Sequence, residues 1–396
     1  VRIKDINPIT ELFVPGMHTA PGIMLSGRFS SADRILEAEG DIRELIYNGM
    51  TADTIRLFAV YAFGSLYLDA GMRRLNFSED EENEGIGIEN LQLHTALSGN
   101  DLYYAVQWNN DDPIKTNAGE FEGYASLLPD GAVETGLRNA QANINGHKWM
   151  ISDLNIIRMD SASVGVKNFE IFGANEHFII DGVLSQSADD TLSLYFRNWE
   201  LANFNPFLEN YSLAVGGEIN GHFGLFRHEK KINVFSALNV NDFTLNEVYL
   251  GEMDFDTRWI QSEKALAVDL SLFSEGNTNE HFKILGVNGV YYPMDKNRNF
   301  DFDVMAKNLD ISVLKPFLTS FSSKLAGYAT GRLKLAGTNA DPIVMGRLRL
   351  QRAEMNVDYL NVTYSFSNEV VFTENGILFN ELQAYDPNSK KALITG

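Results

Sequence analysis

The sequence is short of several residue types, and each shortage limits what the protein can do. None of the 396 residues is cysteine, which excludes disulfide bonds, thiolate metal sites and a cysteine nucleophile. Acidic residues outnumber basic ones, because 53 aspartates and glutamates stand against 32 lysines and arginines, and the formal net charge is −21. Nucleic acids and anionic membrane surfaces are bound by basic faces, so this composition argues against both partners. No apolar run approaches the ~20 residues that a membrane-spanning helix needs.

What the sequence does contain is an alternation of apolar and polar residues, which is typical of strands with one covered face. The segments "TLSLYF", "LAVDLSL" and "FDFDVMA" show this alternation, and similar runs recur from end to end. Clusters such as "NNDD", "LPDG", "SADD" and "MDKNRN" separate the runs and are typical of turns. The pattern predicts an all-β fold of mostly antiparallel strands, each of about five to ten residues.

Two stretches, residues 200–217 and 310–327, break the alternation, and each is predicted to form one or two helical turns around a Pro-Phe-Leu motif. They match one another at a constant separation of 110 residues; the matched pairs are Asn198 and Asn308, Pro206 and Pro316, Gly217 and Gly327, Gly221 and Gly331, and Leu225 and Leu335. A weaker third copy begins with "INPITELF", where Pro8 stands 198 residues before Pro206. Repetition of this kind predicts an elongated stack of units. Duplication of an ordinary β domain would produce the same repetition in the sequence and is the alternative interpretation.

The stretch "GRLKLAGTNADPIVMGRLRL", residues 331–350, shows what one repeat contributes. It predicts two short strands joined by a turn, with leucines on one side and basic residues on the other. The same reasoning, applied to the other alternating runs, predicts one apolar lining: Leu192, Leu194, Phe196, Leu266, Val268, Leu270, Phe302, Val304, Leu333, Leu335, Leu348 and Leu350. A closed sandwich core is the alternative interpretation of these residues, and a one-residue bulge would turn any of the runs inside out.

The polar residues form no catalytic or metal-binding pattern. The seven histidines lack the tight spacing of a metal site. The pairs Asp254/Asp256 and Asp301/Asp303 belong to alternating strands, where residues two apart share a face, so they are expected to lie on the wet side. No nucleophile elbow, phosphate-binding loop or dinucleotide fingerprint occurs. We therefore expect no enzymatic activity, no metal site and no cofactor.

The last part of the chain carries a more specific pattern. The motif Gly-x-Leu-x-Leu-x-Gly-Thr at residues 331–338 is followed by Pro342, Gly346, Leu348, Leu350, an aromatic strand through Tyr364 and Phe366, and "ILFNEL". In this combination residues 331–396 resemble the start of the C-terminal domain of the TamB and AsmA-like family, the translocation and assembly modules of Gram-negative envelopes. The resemblance implies three regions in a segment of a longer protein: an N-terminal β repeat region at 1–139, a repeated β-groove region with short helices at 140–330, and the start of the C-terminal domain at 331–396.

The resemblance also implies a fold and a function. The fold would be a long antiparallel sheet folded lengthwise into an apolar groove, a β-taco, with short helical inserts. The protein would be periplasmic, anchored in the inner membrane by a helix outside this chain, and would reach the outer membrane and an Omp85-class assembly protein there. Its groove would shield phospholipid acyl chains moving between the membranes during outer-membrane biogenesis. Two alternatives stay open, a chaperone or scaffold for assembly or secretion of outer-membrane proteins, and an outer-membrane barrel or β-rich adhesin.

Overall fold

The computed structural model describes residues 2–76, 87–110, 112, 116–144, 146–208, 213–228, 231–275, 281–318 and 322–395. Strands hold 71% of the chain and helical segments hold 5%, and the strands pair in the antiparallel sense. The predicted all-β antiparallel fold with short helical inserts is therefore confirmed. The chain forms two compact units, Val1–Leu192 and Ser193–Gly396.

The first unit is a meander of strands with one short helix, α1, at Asn7–Phe13. Its strands are β1 Arg2–Ile3, β2 Met17–Thr19, β3 Ile23–Ser30, β4 Ile35–Tyr47, β5 Met50–Ala62, β6 Ser65–Asn76, β7 Gly87–Ser98, β8 Asp101–Asn109, β9 Asn117–Leu127, β10 Val133–Ile144, β11 His147–Ile151, β12 Ile156–Met159, β13 Val164–Phe172 and β14 His177–Leu184. From β3 to β10 each strand pairs with the next in chain order. Strands β11 and β12 both pair with β10 and with β13, and β13 also pairs with β14.

The second unit repeats this meander and includes three short helical segments, α2 Leu201–Phe204, α3 Asn205–Leu208 and α4 Ile311–Leu318. Strand β15, Thr191–Glu200, begins two residues before the second unit. The strands that come after it in the chain are β16 Val215–His228, β17 Lys231–Leu245, β18 Val248–Ile260, β19 Ala265–Glu275, β20 His281–Tyr291, β21 Phe300–Asp310, β22 Leu325–Gly337, β23 Pro342–Val357, β24 Val362–Phe366, β25 Glu369–Thr373, β26 Gly376–Phe379, β27 Leu382–Tyr385 and β28 Lys391–Ile394. Strands β16 to β23 pair in chain order, and β23 pairs with both β24 and β25. Both Pro-Phe-Leu motifs lie in helical segments, as predicted.

A recurring β-bulge interrupts the strands of both units. At five of these positions the residue adopts a left-handed φ angle of 50 to 53° and makes the same kind of contact: Asn139, Asn168, Asn198, Asn308 and Arg352. The backbone N–H of each donates to a side-chain oxygen further along the chain; the acceptors, in the same order, are Asp153, Asp181, Asn220, Thr330 and Ser367. A bulged residue has left the ladder of its strand, so its N–H needs another acceptor. Asn198 and Asn308 both use an acceptor 22 residues ahead, so their match in the repeat corresponds to a shared local structure.

A second shared contact joins the helical segments to the strands that follow them. Asn7, the first residue of α1, donates from Nδ2 to the carbonyl oxygen of Thr19 at 3.1 Å and accepts the N–H of Thr19 at 2.7 Å. Asn205, the first residue of α3, makes the same two bonds with Val215 at 3.0 and 2.8 Å. Each asparagine precedes the proline that aligned the first copy of the repeat with the second. The structure therefore supports a related copy at the start of the chain.

The region boundaries that the sequence suggested lie within strands. Residue 139 belongs to β10 and residue 330 to β22. The two compact units divide between residues 192 and 193. A division into the regions 1–139, 140–330 and 331–396 stays a prediction.

The asparagine contact has a measurable energetic consequence. Replacing Asn205 by alanine removes two hydrogen bonds and leaves both backbone groups of Val215 without these partners, so we expect the free energy of unfolding to fall by about 1–3 kcal/mol. Asn7→Ala should have an effect of similar size in the first unit. Urea unfolding followed by circular dichroism would measure both changes.

Asn239→Ala is the matched control for this prediction. Its side chain donates one exposed hydrogen bond to Asp254 at 3.0 Å, so its replacement should change the free energy of unfolding by no more than about 0.5 kcal/mol. Equal small effects at positions 7, 205 and 239 would show that the asparagines do not hold the helical segments to the strands.

Candidate functional site

The register of the second unit places most of the predicted lining on one sheet face, here called the apolar face. Residues opposite each other in an antiparallel pair point to the same side. Leu270 lies opposite Val287, which lies opposite Val304, and Val304 in turn lies opposite Leu333. Nine of the twelve predicted residues are connected by steps of this kind across β19–β23: Leu266, Val268, Leu270, Phe302, Val304, Leu333, Leu335, Leu348 and Leu350.

The other three predicted residues lie on β15. Leu192, Leu194 and Phe196 are half-buried and alternate with Tyr195, which is 45% exposed. Phe196 packs against the same buried cluster as Leu270, so the structure brings it to the apolar face. Leu192 is the last residue of the first unit, so it is not assigned to the apolar face of the second unit.

The apolar face also includes residues that were not predicted to line it. It continues from Leu270 to Phe255 on β18, and from there to Leu238 on β17 and Gly221 on β16. Further members from these strands and β20 are Phe223, Leu225, Val240, Met253, Trp259, Leu285, Val287 and Tyr291. The signal for them was present in the alternation of "SALNV" and "MDFDTRW", whose inward side is defined only once the register to a neighbouring strand is known.

The opposite face of the same strands is polar and internally paired. Lys334 Nζ lies 2.5 Å from Asp301 Oδ1 and 3.4 Å from Asp303 Oδ1. The hydrogen bond to Asp301 raises the pKa of Lys334 above its ordinary value, with smaller contributions from both carboxylate charges. Similar cross-strand contacts link Asn239 with Asp254, Asn288 with Asp269, and Arg347 with Glu369. These polar side chains pair with one another, so the second unit has a mainly polar face, here called the wet face, opposite the apolar face; at the start of β17 the wet face also carries buried Asn233 and the ring of Phe235, which packs against Phe226.

Burial along the apolar face changes from one end of the strands to the other. At the end nearest α4, Ile219, Val240 and Leu272 are 7%, 0% and 3% exposed and form a cluster with Val313 of the helix. At the opposite end of β17, Ile232 is 51% exposed. Between these limits most apolar side chains are half-buried; they include Phe223, Leu225, Phe255, Trp259, Leu266 and Val268. The short helix therefore closes one end of the face and leaves the other less covered.

The predicted lining itself lies in this intermediate zone. Phe302 is 9% exposed, and the other eleven residues are half-buried. Phe302 and Phe300 have ring centroids 6.1 Å apart, and Phe300 lies 5.8 Å from Tyr291. The three rings line neighbouring positions on β20 and β21, where they form a broad, flat apolar surface.

The first unit carries an apolar face of its own. Residues that lie opposite one another on the successive strands β5 to β9 form this face: Leu57, Ala70, Leu93, Val106 and Phe121. On β8 and β9 the ring of Phe121 meets those of Tyr104 and Trp108 edge-on, with centroids 6.3 and 6.4 Å apart. A Cβ atom on Gly119 would lie 2.4 Å from the Trp108 ring, and one on Gly123 would lie 2.3 Å from the Tyr104 ring. The glycines thus allow both rings to lie flat across the neighbouring strand.

Two hollows of about 800 and about 810 Å³ lie on the polar side of the first unit and were not predicted. Both are bordered by Gln107, Glu120 and Gln141. The amide of Gln107 donates to Gln92 and that of Gln141 donates to Glu120, each at 2.5 Å. The side chains that border the hollows are thus paired across neighbouring strands, which favours a structural role in the polar face.

Within the described ranges, no group of three or more histidine, aspartate and glutamate side chains is placed to hold a metal ion. No helix in the same part of the chain has the length and apolar character needed to cross a bilayer.

The change in burial along the strands predicts unequal costs for the same substitution. Leu272 and Leu266 both lie on the apolar face of β19, and Leu272 belongs to the buried cluster. Leu272→Ala should lower the free energy of unfolding by about 3–5 kcal/mol, because it leaves a cavity. Leu266→Ala should cost less than about 1.5 kcal/mol, because solvent already reaches part of this side chain. Chemical denaturation measures both, and equal losses would show that the face is a closed core along its whole length.

Comparison with known proteins does not assign the chain to a family. Searches against protein-family models, curated proteins and solved structures found no match to this sequence or this fold.

Proposed function

We propose that this protein shields phospholipid acyl chains on its apolar face as a segment of a periplasmic bridge between inner and outer membranes. The observation that carries the proposal is one apolar face across the eight strands β16–β23, closed by α4 at one end and mostly half-buried elsewhere. Soluble proteins rarely leave more than a few hundred Å² of contiguous apolar surface uncovered. Lipid tails would supply the missing cover.

The composition of the face suits a lipid that moves. Each methylene group transferred from water to an apolar surface gains roughly 0.8 kcal/mol, so a half-sheltered acyl chain is held without any polar anchor. Leucine, valine and phenylalanine recur at neighbouring positions, and none offers a contact much stronger than the next. The hydroxyl groups of Ser236 and Thr257 on this face are buried and hydrogen-bonded to each other at 2.9 Å. Such a surface permits sliding in both directions, and the direction of net transport requires another source of free energy.

The resemblance to the TamB and AsmA-like family supports the same proposal. Leu333, Leu335 and Leu348 belong to the motif that carries the resemblance, and all three lie on the apolar face. In this proposal the protein is held at the inner membrane, reaches the outer membrane and works with an Omp85-class assembly protein, and its contribution to outer-membrane biogenesis is lipid movement without an enzymatic step.

Site-specific photo-crosslinking in cells tests the proposal. A photoreactive residue at Leu333, in the full-length protein, should become covalently attached to phospholipid, which mass spectrometry detects as an added lipid mass. The adjacent Arg332 is exposed, lies on the polar face and makes no ion pair with another described residue, so the same residue there should capture little or no lipid. A difference of about ten-fold or more between these neighbours is expected.

The other outcomes overturn the proposal in different ways. Polypeptide adducts at position 333 in place of lipid would indicate a chaperone or scaffold for outer-membrane proteins. Adducts at neither position, in a folded protein, would indicate a closed core and a structural or adhesive role. Equal lipid labelling at both positions would indicate nonspecific contact with a membrane.

A further inference from the structure

One basic residue lies on the apolar face, near the end of β16. Arg227 lies opposite Ile232 of β17, and Leu225 lies opposite Val234. Residues two apart on a strand share a side, so Arg227 lies on the same face as Leu225. It is half-buried, whereas the three arginines on the polar face of β22 and β23 are exposed; these are Arg332, Arg347 and Arg349.

Arg227 lacks the compensation that a half-buried charge usually has. Its Nε atom is buried without a hydrogen-bond acceptor, and the side chain makes no hydrogen bond or ion pair with any other residue in the described ranges. Withdrawing a charged group from water without a partner is unfavourable. Lys334, by contrast, pairs with Asp301 on the polar face.

The repeated architecture does not require an arginine at this place. The repeat aligns Gly221 with Gly331 and Leu225 with Leu335, and the same separation of 110 residues aligns Arg227 with Gly337. Gly337 closes β22 on the equivalent side. Since one copy of the unit folds with glycine here, the fold does not require the arginine, and side chains in locally unfavourable environments are expected at functional sites.

We infer that Arg227 binds the phosphate group of a phospholipid whose acyl chains lie on the adjoining apolar face. The planar guanidinium group presents a fork of N–H donors that matches phosphate oxygens, and a phosphate would supply the missing acceptor and opposite charge. This inference rests on the proposed function and deepens it, because it names the headgroup chemistry and the end of the face where the headgroup sits.

The space beside Arg227 suits the tails of such a lipid. From Arg227 the face runs along β16 through Leu225 and Phe223 to Ile219, eight residues away, which corresponds to about 26 Å at 3.3 Å per residue. One leaflet of acyl chains is about 15 Å thick, half of the bilayer hydrocarbon core. At Gly221, which lies on this path, the backbone of β17 approaches closely, and a Cβ atom there would lie 2.2 Å from the carbonyl oxygen of Ala237. The face between the guanidinium group and the buried cluster at Ile219 is therefore long enough for the acyl chains of one leaflet.

A lipid-exchange experiment on the purified 396-residue chain tests the inference. The probe is a vesicle preparation containing dioleoyl phosphatidylcholine and dioleoylglycerol, which share the same acyl chains and differ in the phosphate headgroup; neither carries a net charge that the acidic chain would repel. After flotation, mass spectrometry counts each lipid retained per chain. The unsubstituted chain should enrich the phospholipid about ten-fold over the vesicle ratio, as expected for one charge-assisted hydrogen-bonded contact.

The variants separate this inference from the proposed function. Arg227→Gln should reduce the enrichment to near the vesicle ratio while the total lipid retained stays similar, because the apolar face is unchanged. Arg227→Lys should keep part of the enrichment, and Arg332→Gln, on the polar face, should keep all of it. Unchanged enrichment in Arg227→Gln would overturn the inference and leave the proposed function standing. Retention of neither lipid by any form of the chain would overturn both.

The melting temperature provides a second measurement, because it distinguishes an arginine that stabilises the fold from one that binds a headgroup. Because Arg227 has no partner in the described structure, Arg227→Met should leave the melting temperature of the lipid-free chain unchanged or raise it. Lowering of the melting temperature by several degrees would show that Arg227 holds the fold together, and that result would overturn its assignment as a headgroup-binding residue.

Discussion

The structure depends on the antiparallel register of its strands, because residues that lie opposite each other point to the same side of the sheet. A one-residue shift in one pair would exchange the two faces for every strand that follows. In the second unit this rule carries the apolar side from Leu270 to Val304 and then to Leu333. A one-residue slip of β21 would place Asp303 opposite Leu333 and would remove the contacts of Asp301 and Asp303 with Lys334. The ion pairs of the wet face therefore oppose the slips that would mix the two faces.

The bulges show how a strand can shift its side-chain alternation by one residue and still keep its apolar side chains on the apolar face. On β21, Ala306 lies opposite Gly331 and Leu309 lies opposite Ala329, with Asn308 excluded from the ladder between them. Strict alternation would have turned Asn308 inward. The left-handed φ of Asn308 shifts the period by one residue, and its N–H is satisfied by Thr330. Leu309 can then pack against the buried cluster that Val313 of α4 completes, so the bulge and the helix together close this end of the face.

Much of this organisation could be predicted from the sequence, and the remainder depends on pairing. Alternation in "GRLKLAG" was sufficient to group Leu333 with Leu335, and the 110-residue repeat identified Asn198 and Asn308 as equivalent. Neither pattern specifies which residue lies across the ladder, so Phe255 and Leu238 were missed. The hydrogen bonds of Asn7 and Asn205 join residues 12 and 10 positions apart through side-chain geometry that no local periodicity encodes. Arg227 occupies an apolar position within "HFGLFRH", and a reading that counts only apolar residues passes over it.

A uniform apolar face and a single charged position have opposite effects on a bound lipid. Uniformity allows acyl chains to exchange places at little cost, because each methylene group gains about the same free energy anywhere on the face. A charge near one end breaks this equivalence, since a phosphate gains more there than over leucine. The closed cluster of Ile219, Val240 and Leu272 lies at the other end of the same strands. In the proposed arrangement the tails of a lipid held on β16 and β17 therefore point toward α4 and its headgroup toward the exposed end, so these strands would orient a lipid that the remaining strands only shield.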